Sequence, residues 1–305
     1  LQMLFARRSD DLRAAGIHYP LNAFTEGARE GRITSGNGVV MANYLRPNLP
    51  HRIADKDDFI GDFDRMLGEA DGASFLFSSE FLVFPDNKRT GRLAAAIARH
   101  GYEVKALYLV RDFANAARSA YSQQVKRHGE TSSFETFVKE WDPFYLHHTN
   151  LIVSAFGDEA LFVFNYDQHR NDLSTLVFHE FLGCTFKLEA PDSINRSLND
   201  KELELLRVFN QFAGHGNAFA STFVSDALMT LAGEAQLKYQ PNLAEFEVLQ
   251  NRFSQSIKKI NERIAGAPVK ISEGYRETDT KVELNDFERF TMAVLSKLIE
   301  RRSEK

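Results

Sequence analysis

The chain has 305 residues, 43% of them hydrophobic and 26% charged, a composition typical of globular proteins and not of disordered or fibrous chains. The formal net charge of −5 argues against a general nucleic-acid-binding protein, which would carry a basic excess. The single cysteine, Cys184, excludes an internal disulfide. The sequence contains no run of about 18 apolar residues, so it does not predict a membrane-spanning helix, and we expect a cytoplasmic protein.

The first two thirds of the chain predict strands that alternate with helices. A helix is expected over Leu1–Ala15, ending at Gly16. Three short apolar runs predict buried strands, at Ala73–Ser78, Val104–Val110 and Ala160–Phe164. Helices are expected at Lys88–His100, after a capping box of Ser132 and Glu135, and after Asn171 or Asp172. This order favours an α/β fold with a central parallel sheet that is flanked by helices on both faces.

The last third is predicted to be mostly helical. Asn199 and Glu202 form a capping pattern, and apolar residues recur every three or four positions from Phe246 to Ile264 and from Phe287 to Leu298. The polar segment Gly266–Lys281 lacks this periodicity and predicts a loop. We therefore expect a single domain over 1–305, with an α/β core at 1–199 and a mostly helical part at 200–305 that packs on the sheet.

The most informative stretch is Val104–Arg127. Arg111 follows a predicted strand, and Ser119 lies eight residues later on the next predicted helix. Ligands of open α/β sheets bind beyond the carboxyl ends of the strands, where an arginine can bind a phosphate with two parallel N–H groups. The serine hydroxyl and the amino terminus of the helix could add to such a site. The alternative is a surface arginine paired with an acid, and an ordinary helical serine.

This pattern resembles the 3′-phosphate-binding motif of the sulfotransferases, and the segment RDFANAARSAYSQQVKR resembles the bacterial branch of that family. Further segments share the resemblance in the same order: Leu1–Pro20, Ser35–Arg46, Phe75–Glu80, Phe156–Gly183 and, more weakly, Asn195–Asp200. The resemblance implies a P-loop NTPase-like sulfotransferase fold. It also implies that Arg111 and Ser119 hold the 3′-phosphate of 3′-phosphoadenosine 5′-phosphosulfate, the donor of a sulfuryl group.

Glu80 is the expected general base, since it follows the predicted strand Ala73–Ser78 at the same sheet edge as Arg111. A carboxylate in a partly dry cleft can take the proton of an attacking hydroxyl. The alternative is a solvated glutamate at a strand end. The resemblance implies a hydroxyl acceptor on a carbohydrate or glycolipid and no required metal, and no histidine pair in the sequence has metal-ligand spacing.

Members of the family carry a strand and a phosphosulfate-binding loop ahead of the helix that Leu1–Ala15 resembles. We expect this strand and loop to be missing before residue 1, because Leu1 and Gln2 resemble the residues just after the loop. The loop stabilises the leaving phosphate, so a protein that begins at Leu1 should show little transfer, and about twenty upstream residues should restore it.

Two other classes of function stay open at this point. One is another nucleotide-dependent transferase, such as a glycosyltransferase or a kinase, although the sequence has no Gly-rich Lys-Ser/Thr loop. The other is a non-catalytic binding or scaffold protein that keeps the fold without the donor loop.

Overall fold

A computed structural model describes residues 1–32, 34–46, 59–70, 72–82, 87–188, 197–230, 240–276 and 284–303. The fold is mixed α/β and mostly helical. In chain order its elements are α1 (Gln2–Arg7), α2 (Ser9–Ala14), β1 (Ile17–His18), α3 (Ala23–Arg29), α4 (Val39–Leu45), α5 (Phe59–Glu69), β2 (Ser74–Phe75), α6 (Asn87–Arg99), β3 (Ala106–Val110), α7 (Phe113–His128), α8 (Phe134–Glu140), α9 (Tyr145–Phe156), a 3₁₀ turn (Asp158–Ala160), β4 (Leu161–Asn165), α10 (Tyr166–His169), α11 (Leu173–Thr175), a π-helical segment (Leu176–Phe181), α12 (Asp200–Ala213), α13 (Ala218–Thr230), α14 (Leu243–Asn261) and α15 (Asp286–Ser303).

The chain divides into two compact units. The first comprises Leu1–Val110, Phe144–Glu189 and Glu262–Ala267, and it contains the four strands that the structure describes. The second comprises Arg111–Pro143, Ala190–Asn261 and Pro268–Lys305, and its described elements are helices. The single domain with a division at residue 199 stays a prediction.

The strands of the first unit form two short parallel ladders. β1 pairs with β2 through Ile17↔Ser74 and His18↔Phe75, and β3 pairs with β4 from Ala106↔Leu161 to Val110↔Asn165. The predicted strands at Val104–Val110 and Ala160–Phe164 are therefore confirmed, as is their parallel pairing. One central sheet is not seen among the described residues, because no ladder joins the two pairs and the sheets are small.

β2 is shorter than predicted because a side chain takes the place of its partner strand. Beyond Phe75, the Nδ2 of Asn37 donates to the carbonyl of Leu76 (2.8 Å), and the Oδ1 of Asn37 accepts from the amide of Ser78 (2.9 Å). Asn37 is only 3% exposed. The backbone at Leu76–Ser78 is thus hydrogen-bonded although it belongs to no ladder.

The glycines that flank Asn37 allow this approach. Gly36 has φ +75°, and a Cβ there would clash with the carbonyl oxygen of Ser78. A Cβ on Gly38 would lie 3.0 Å from the backbone of Ser78. The segment Ser35–Gly38 therefore requires glycine on both sides of Asn37.

Two buried clusters hold the first unit together. One is built by α1, α2, β1 and the π-helical segment, with Phe5, Leu12, Tyr19, Val177 and Phe178 among its members. The other is built by α4, α5, α6 and α9, with buried residues Met41, Leu45, Phe63, Leu67, Leu93, Ala96, Leu151 and Ile152. Burial of these apolar side chains supplies the main favourable term in folding.

The helices of the second unit begin at identifiable caps. Asn199 and Glu202 form the predicted capping box at α12, with both hydrogen bonds present at 2.9 Å. The predicted cap of α8 is wrong by one position, since Ser133 and not Ser132 accepts from the amide of Thr136. The amide of Ser132 instead donates to Glu130, which explains the shift.

In the part of the chain that the structure describes, no helix is both long and apolar enough to cross a membrane.

Candidate functional site

The residues predicted to bind the donor lie around the start of α7, in the second unit. Arg111 follows the last residue of β3 and is half-buried, and Ser119 lies two turns into α7 and is exposed. Asp112 between Arg111 and the helix is the N-cap residue and is 2% exposed. The predicted spacing of strand, arginine and helical serine is therefore present in the structure.

The apolar face of α7 fixes which side of the helix is open. Ala114, Ala117, Tyr121 and Val125 are buried as predicted, so α7 packs by that face against its own unit. Asn115 lies four residues before Ser119 and thus shares a face with it. Asn115 is half-buried, and sequence analysis did not single it out, although the spacing of four residues was a usable signal.

The residues at the amino terminus of α7 are held by a distant segment, residues 268–274, which we call the strap. The amide of Phe113 donates to the carbonyl of Lys270 (3.0 Å), and the amide of Ala114 donates to that of Ile271 (2.9 Å). The Oδ1 of Asp112 accepts from the amide of Lys270 (3.0 Å). Two of the amides that a helix start offers to an anion are thus already used. A phosphate at Arg111 would have to be bound mainly by side chains, contrary to the expected help from the helix terminus.

Arg118, the neighbour of Ser119, has a structural part in this region. Its side chain is 13% exposed, and its Nη2 lies 2.5 Å from the Oδ1 of Asp200 at the start of α12. Its guanidinium also lies over the rings of Tyr121 and Phe134, at 5.6 and 5.4 Å from their centroids. Burial raises the pKa of Tyr121 well above its usual range. These contacts fix the rotation of α7 and hence the direction in which Ser119 projects.

Glu80 belongs to the first unit and lies in a turn that follows the segment Leu76–Ser79, beyond the end of β2. The amide of Leu82 donates to the carbonyl of Ser79 (3.2 Å), and the amide of Phe81 donates to the Ser79 hydroxyl (3.2 Å). The Glu80 side chain is exposed. The expected partial burial of its carboxylate is therefore not found in this structure. Glu80 also does not follow the strand directly as predicted, because β2 ends at Phe75 and the residues between belong to no strand.

A further polar cluster, not predicted from the sequence, lies on β3 and α9. The hydroxyl of Tyr108 lies 3.0 Å from the Nδ1 of His148, and burial, with a smaller contribution from Tyr145, raises the pKa of Tyr108.

Within the described ranges, no group of three or more His, Cys, Asp or Glu side chains is arranged to hold a metal ion.

Comparison of the whole chain with protein-family models, curated proteins and solved structures finds no match.

Proposed function

We propose that the protein is a sulfotransferase, which moves a sulfuryl group from 3′-phosphoadenosine 5′-phosphosulfate to a hydroxyl group on a carbohydrate or glycolipid. The observation that supports this most is the arrangement at α7. Arg111 follows β3 directly and Asp112 occupies the N-cap position of α7. Ser119 lies two turns into the helix, on the side that the buried face of α7 leaves exposed. An arginine guanidinium can bind a phosphate group through two parallel N–H groups, which supports the proposal.

In the proposed complex, the guanidinium of Arg111 donates two hydrogen bonds to the 3′-phosphate, and the hydroxyl of Ser119 donates a third. Asn115 shares the face of Ser119 and can donate from its side-chain amide. Such side-chain donors are needed because the strap carbonyls already accept from the amides of Phe113 and Ala114. Hydrogen bonds to a charged group contribute about 1.5–3 kcal/mol each, enough for one arginine to dominate the affinity.

Glu80 is the proposed general base. As the acceptor oxygen bonds to sulfur, the bond between sulfur and the bridging oxygen of the donor's 5′-phosphate breaks. The proton of the acceptor hydroxyl passes to the Glu80 carboxylate, and adenosine 3′,5′-bisphosphate leaves. Because Glu80 is exposed, the bound acceptor itself must exclude water from the carboxylate to make it an effective base.

A non-catalytic nucleotide-binding protein is the second candidate, and the exposure of Glu80 favours it. Both candidates require the phosphate contacts of Arg111 and Ser119. They differ only in turnover, so binding is the measurement to make first.

The test is calorimetric titration of adenosine 3′,5′-bisphosphate into the chain and its variants. We expect Arg111→Ala to weaken binding about tenfold or more and Ser119→Ala to weaken it less. The matched control is Arg127→Ala, at the other end of α7, where the arginine pairs with Asp226 (2.8 Å) and should not affect binding. Adenosine 5′-phosphate lacks the 3′-phosphate, so its binding affinity should not change in Arg111→Ala.

Two results would count against the proposal. One is the absence of any binding by the folded chain. The other is an equal loss of affinity in Arg111→Ala and Arg127→Ala, which would point to a general effect of charge and not to a phosphate site.

A further inference from the structure

The apolar residues that recur along α15, in the second unit, lie on a side of the helix that is open to solvent. Phe287 is 76% exposed, Val294 40% and Leu298 55%. Thr291 is exposed as well, and the four residues follow one another at intervals of four, three and four positions. Residues at these intervals line one face of a helix. We call this face the stripe.

The other side of α15 is fixed within the second unit. Ser296 follows Val294 by two residues, which puts it on the far side of the helix, and it is only 2% exposed. Glu288 pairs with Lys201 of α12 (2.7 Å), and α15 packs along α12. The helix is therefore held in one orientation with the stripe outward, so a partner would not bear the entropic cost of ordering it.

The stripe can be buried without leaving a polar group unpaired. Its one hydroxyl, that of Thr291, already donates to the carbonyl of Phe287 (2.8 Å). From Phe287 to Leu298 the stripe is about 17 Å long, at 1.5 Å per residue. An apolar face of this length on a helix is typical of a surface that packs against another helix.

The charges beside the stripe differ in sign at its two ends. Asp286 directly precedes Phe287, and Lys297 directly precedes Leu298, so both lie on the same flank of the stripe. Both side chains are exposed. The eleven positions between them make about three helical turns. This flank is therefore negative near the amino end of α15 and positive near its carboxyl end.

We infer that the stripe binds a second copy of this chain, with the two α15 helices packed in antiparallel order about a two-fold axis. Phe287 of each copy then packs against Leu298 of the other, and Thr291 against Val294. In an antiparallel pair the same flanks face each other, so Asp286 of each copy lies beside Lys297 of the other. A two-fold interface requires a surface that is complementary to itself in this way.

The charges also favour this order of the helices over the parallel one. Asp286 and Glu288 are both in the first turn of α15, and a parallel pair would bring the two acidic amino ends together. The exposed phenylalanines of α13, Phe219 and Phe223, do not form a comparable surface. The charged residue of α13 is Asp226, which pairs with Arg127 (2.8 Å), so that helix has no charges of opposite sign to match in a second copy.

Sedimentation velocity of the chain, from about 1 to about 200 μM, tests for the dimer. Because the stripe is short, we expect a reversible dimer with a Kd on the order of 10 μM. Phe287→Asp should weaken it about tenfold or more, since the change occurs in both copies. The matched control is Phe219→Asp, at a phenylalanine of the same unit that is 68% exposed, and it should leave the Kd unchanged.

Two results of this experiment would overturn the inference. One is a chain that stays monomeric at every concentration, because the stripe would then be covered by something other than a second copy. The other is an equal loss of dimer in Phe287→Asp and Phe219→Asp, which would place the interface elsewhere. Circular dichroism of each variant shows that it is folded.

The antiparallel order is tested by reversing charges at low salt. Asp286→Lys and Lys297→Asp should each weaken the dimer about threefold or more, because each places like charges together. The double variant should restore the original Kd. A tighter dimer in Asp286→Lys alone would overturn the antiparallel order, since it would show that acidic amino ends meet. None of these measurements involves nucleotide, so failure here is distinct from failure of the proposed function.

Discussion

At the scale of single residues, the side chain of Asn37 supplies the hydrogen bonds that a neighbouring strand would otherwise make to the backbone after β2. Its amide group donates to Leu76 and accepts from Ser78, on the backbone that leads to Glu80. Its own carbonyl accepts from the side chain of Asn22 (3.1 Å). The position of the proposed general base therefore depends on one buried amide, and we expect substitutions of Asn37 to affect both stability and the turn that carries Glu80.

We predict that Asn37→Ala lowers the free energy of unfolding by about 2 kcal/mol or more, because it leaves the partly buried amide of Ser78 and the partly buried carbonyl of Leu76 without these partners. Urea denaturation measures this. Asn150→Ala is the matched control in the same unit: Asn150 is exposed and accepts from Arg263 (2.8 Å), so its loss should cost about 0.5 kcal/mol or less. Equal losses in the two variants would show that the hydrogen bonds of Asn37 do not stabilise the end of β2.

At the scale of elements, the strap is hydrogen-bonded to the start of α7, although the two lie more than a hundred positions apart in sequence. Asn261 at the end of α14 exchanges two hydrogen bonds with Val269, both at 2.9 Å, and Val269 is 2% exposed. The strap is thus fixed at Asn261 and again at Asp112. Arg111 precedes Asp112 directly, so the backbone of the proposed phosphate site is positioned in part by residues 268–274.

We predict that Asp112→Ala loosens the strap locally. Loss of a hydrogen bond to a carboxylate costs about 1.5–3 kcal/mol, which corresponds to about tenfold or more faster amide exchange of Lys270. Exchange of a peptide that covers residues 268–276, followed by mass spectrometry, measures this. Glu273→Ala is the control, because the pair of Glu273 with Lys270 (2.7 Å) is solvent-exposed and should contribute little. Equally fast exchange in both variants would contradict a specific role for Asp112.

The helices and strands were predictable where a run of apolar residues or a capping pattern in the sequence marks them. Val104–Val110 and Ala160–Phe164 were recognisable as strands from their apolar runs, and the cap of α12 from Asn199 and Glu202. β1 was missed because Ile17 and His18 are too few residues to make a pattern. The early end of β2 was also missed, because it depends on a hydrogen bond between Asn37 and Ser78, which lie 41 positions apart.

The candidate site was predictable to the same extent. Arg111 and Ser119 are close in sequence, on a strand end and the helix that follows it, so their spacing was sufficient to relate them. The engagement of the α7 amides was not predictable, since 158 positions separate Asp112 from Lys270. The burial of a charged side chain such as Glu80 depends on long-range packing, which periodicity does not report.

At the scale of the whole molecule, each unit has buried side chains of its own. In the first, Leu67 of α5 is 4% exposed within an apolar cluster. In the second, Asn210 of α12 is fully buried, and its Nδ2 donates to the carbonyls of Val125 (2.9 Å) and Glu130 (3.1 Å). Its Oδ1 accepts from the hydroxyl of Ser221 (2.8 Å), so one amide group joins α7, α12 and α13. Cores of this kind can open as separate cooperative regions.

We predict that core substitutions affect amide exchange unit by unit. Leu67→Ala creates a cavity that costs about 2–5 kcal/mol, and it should speed exchange in α5 and α6. Asn210→Ala leaves buried carbonyls without donors at a cost of about 1–3 kcal/mol, and it should speed exchange in α7, α12 and α13. Hydrogen exchange with mass spectrometry on both variants provides reciprocal controls, because each reports on the unit that the other leaves intact. If either variant speeds exchange by the same factor in all these helices, the chain opens as one cooperative structure and the two units are not separate in stability.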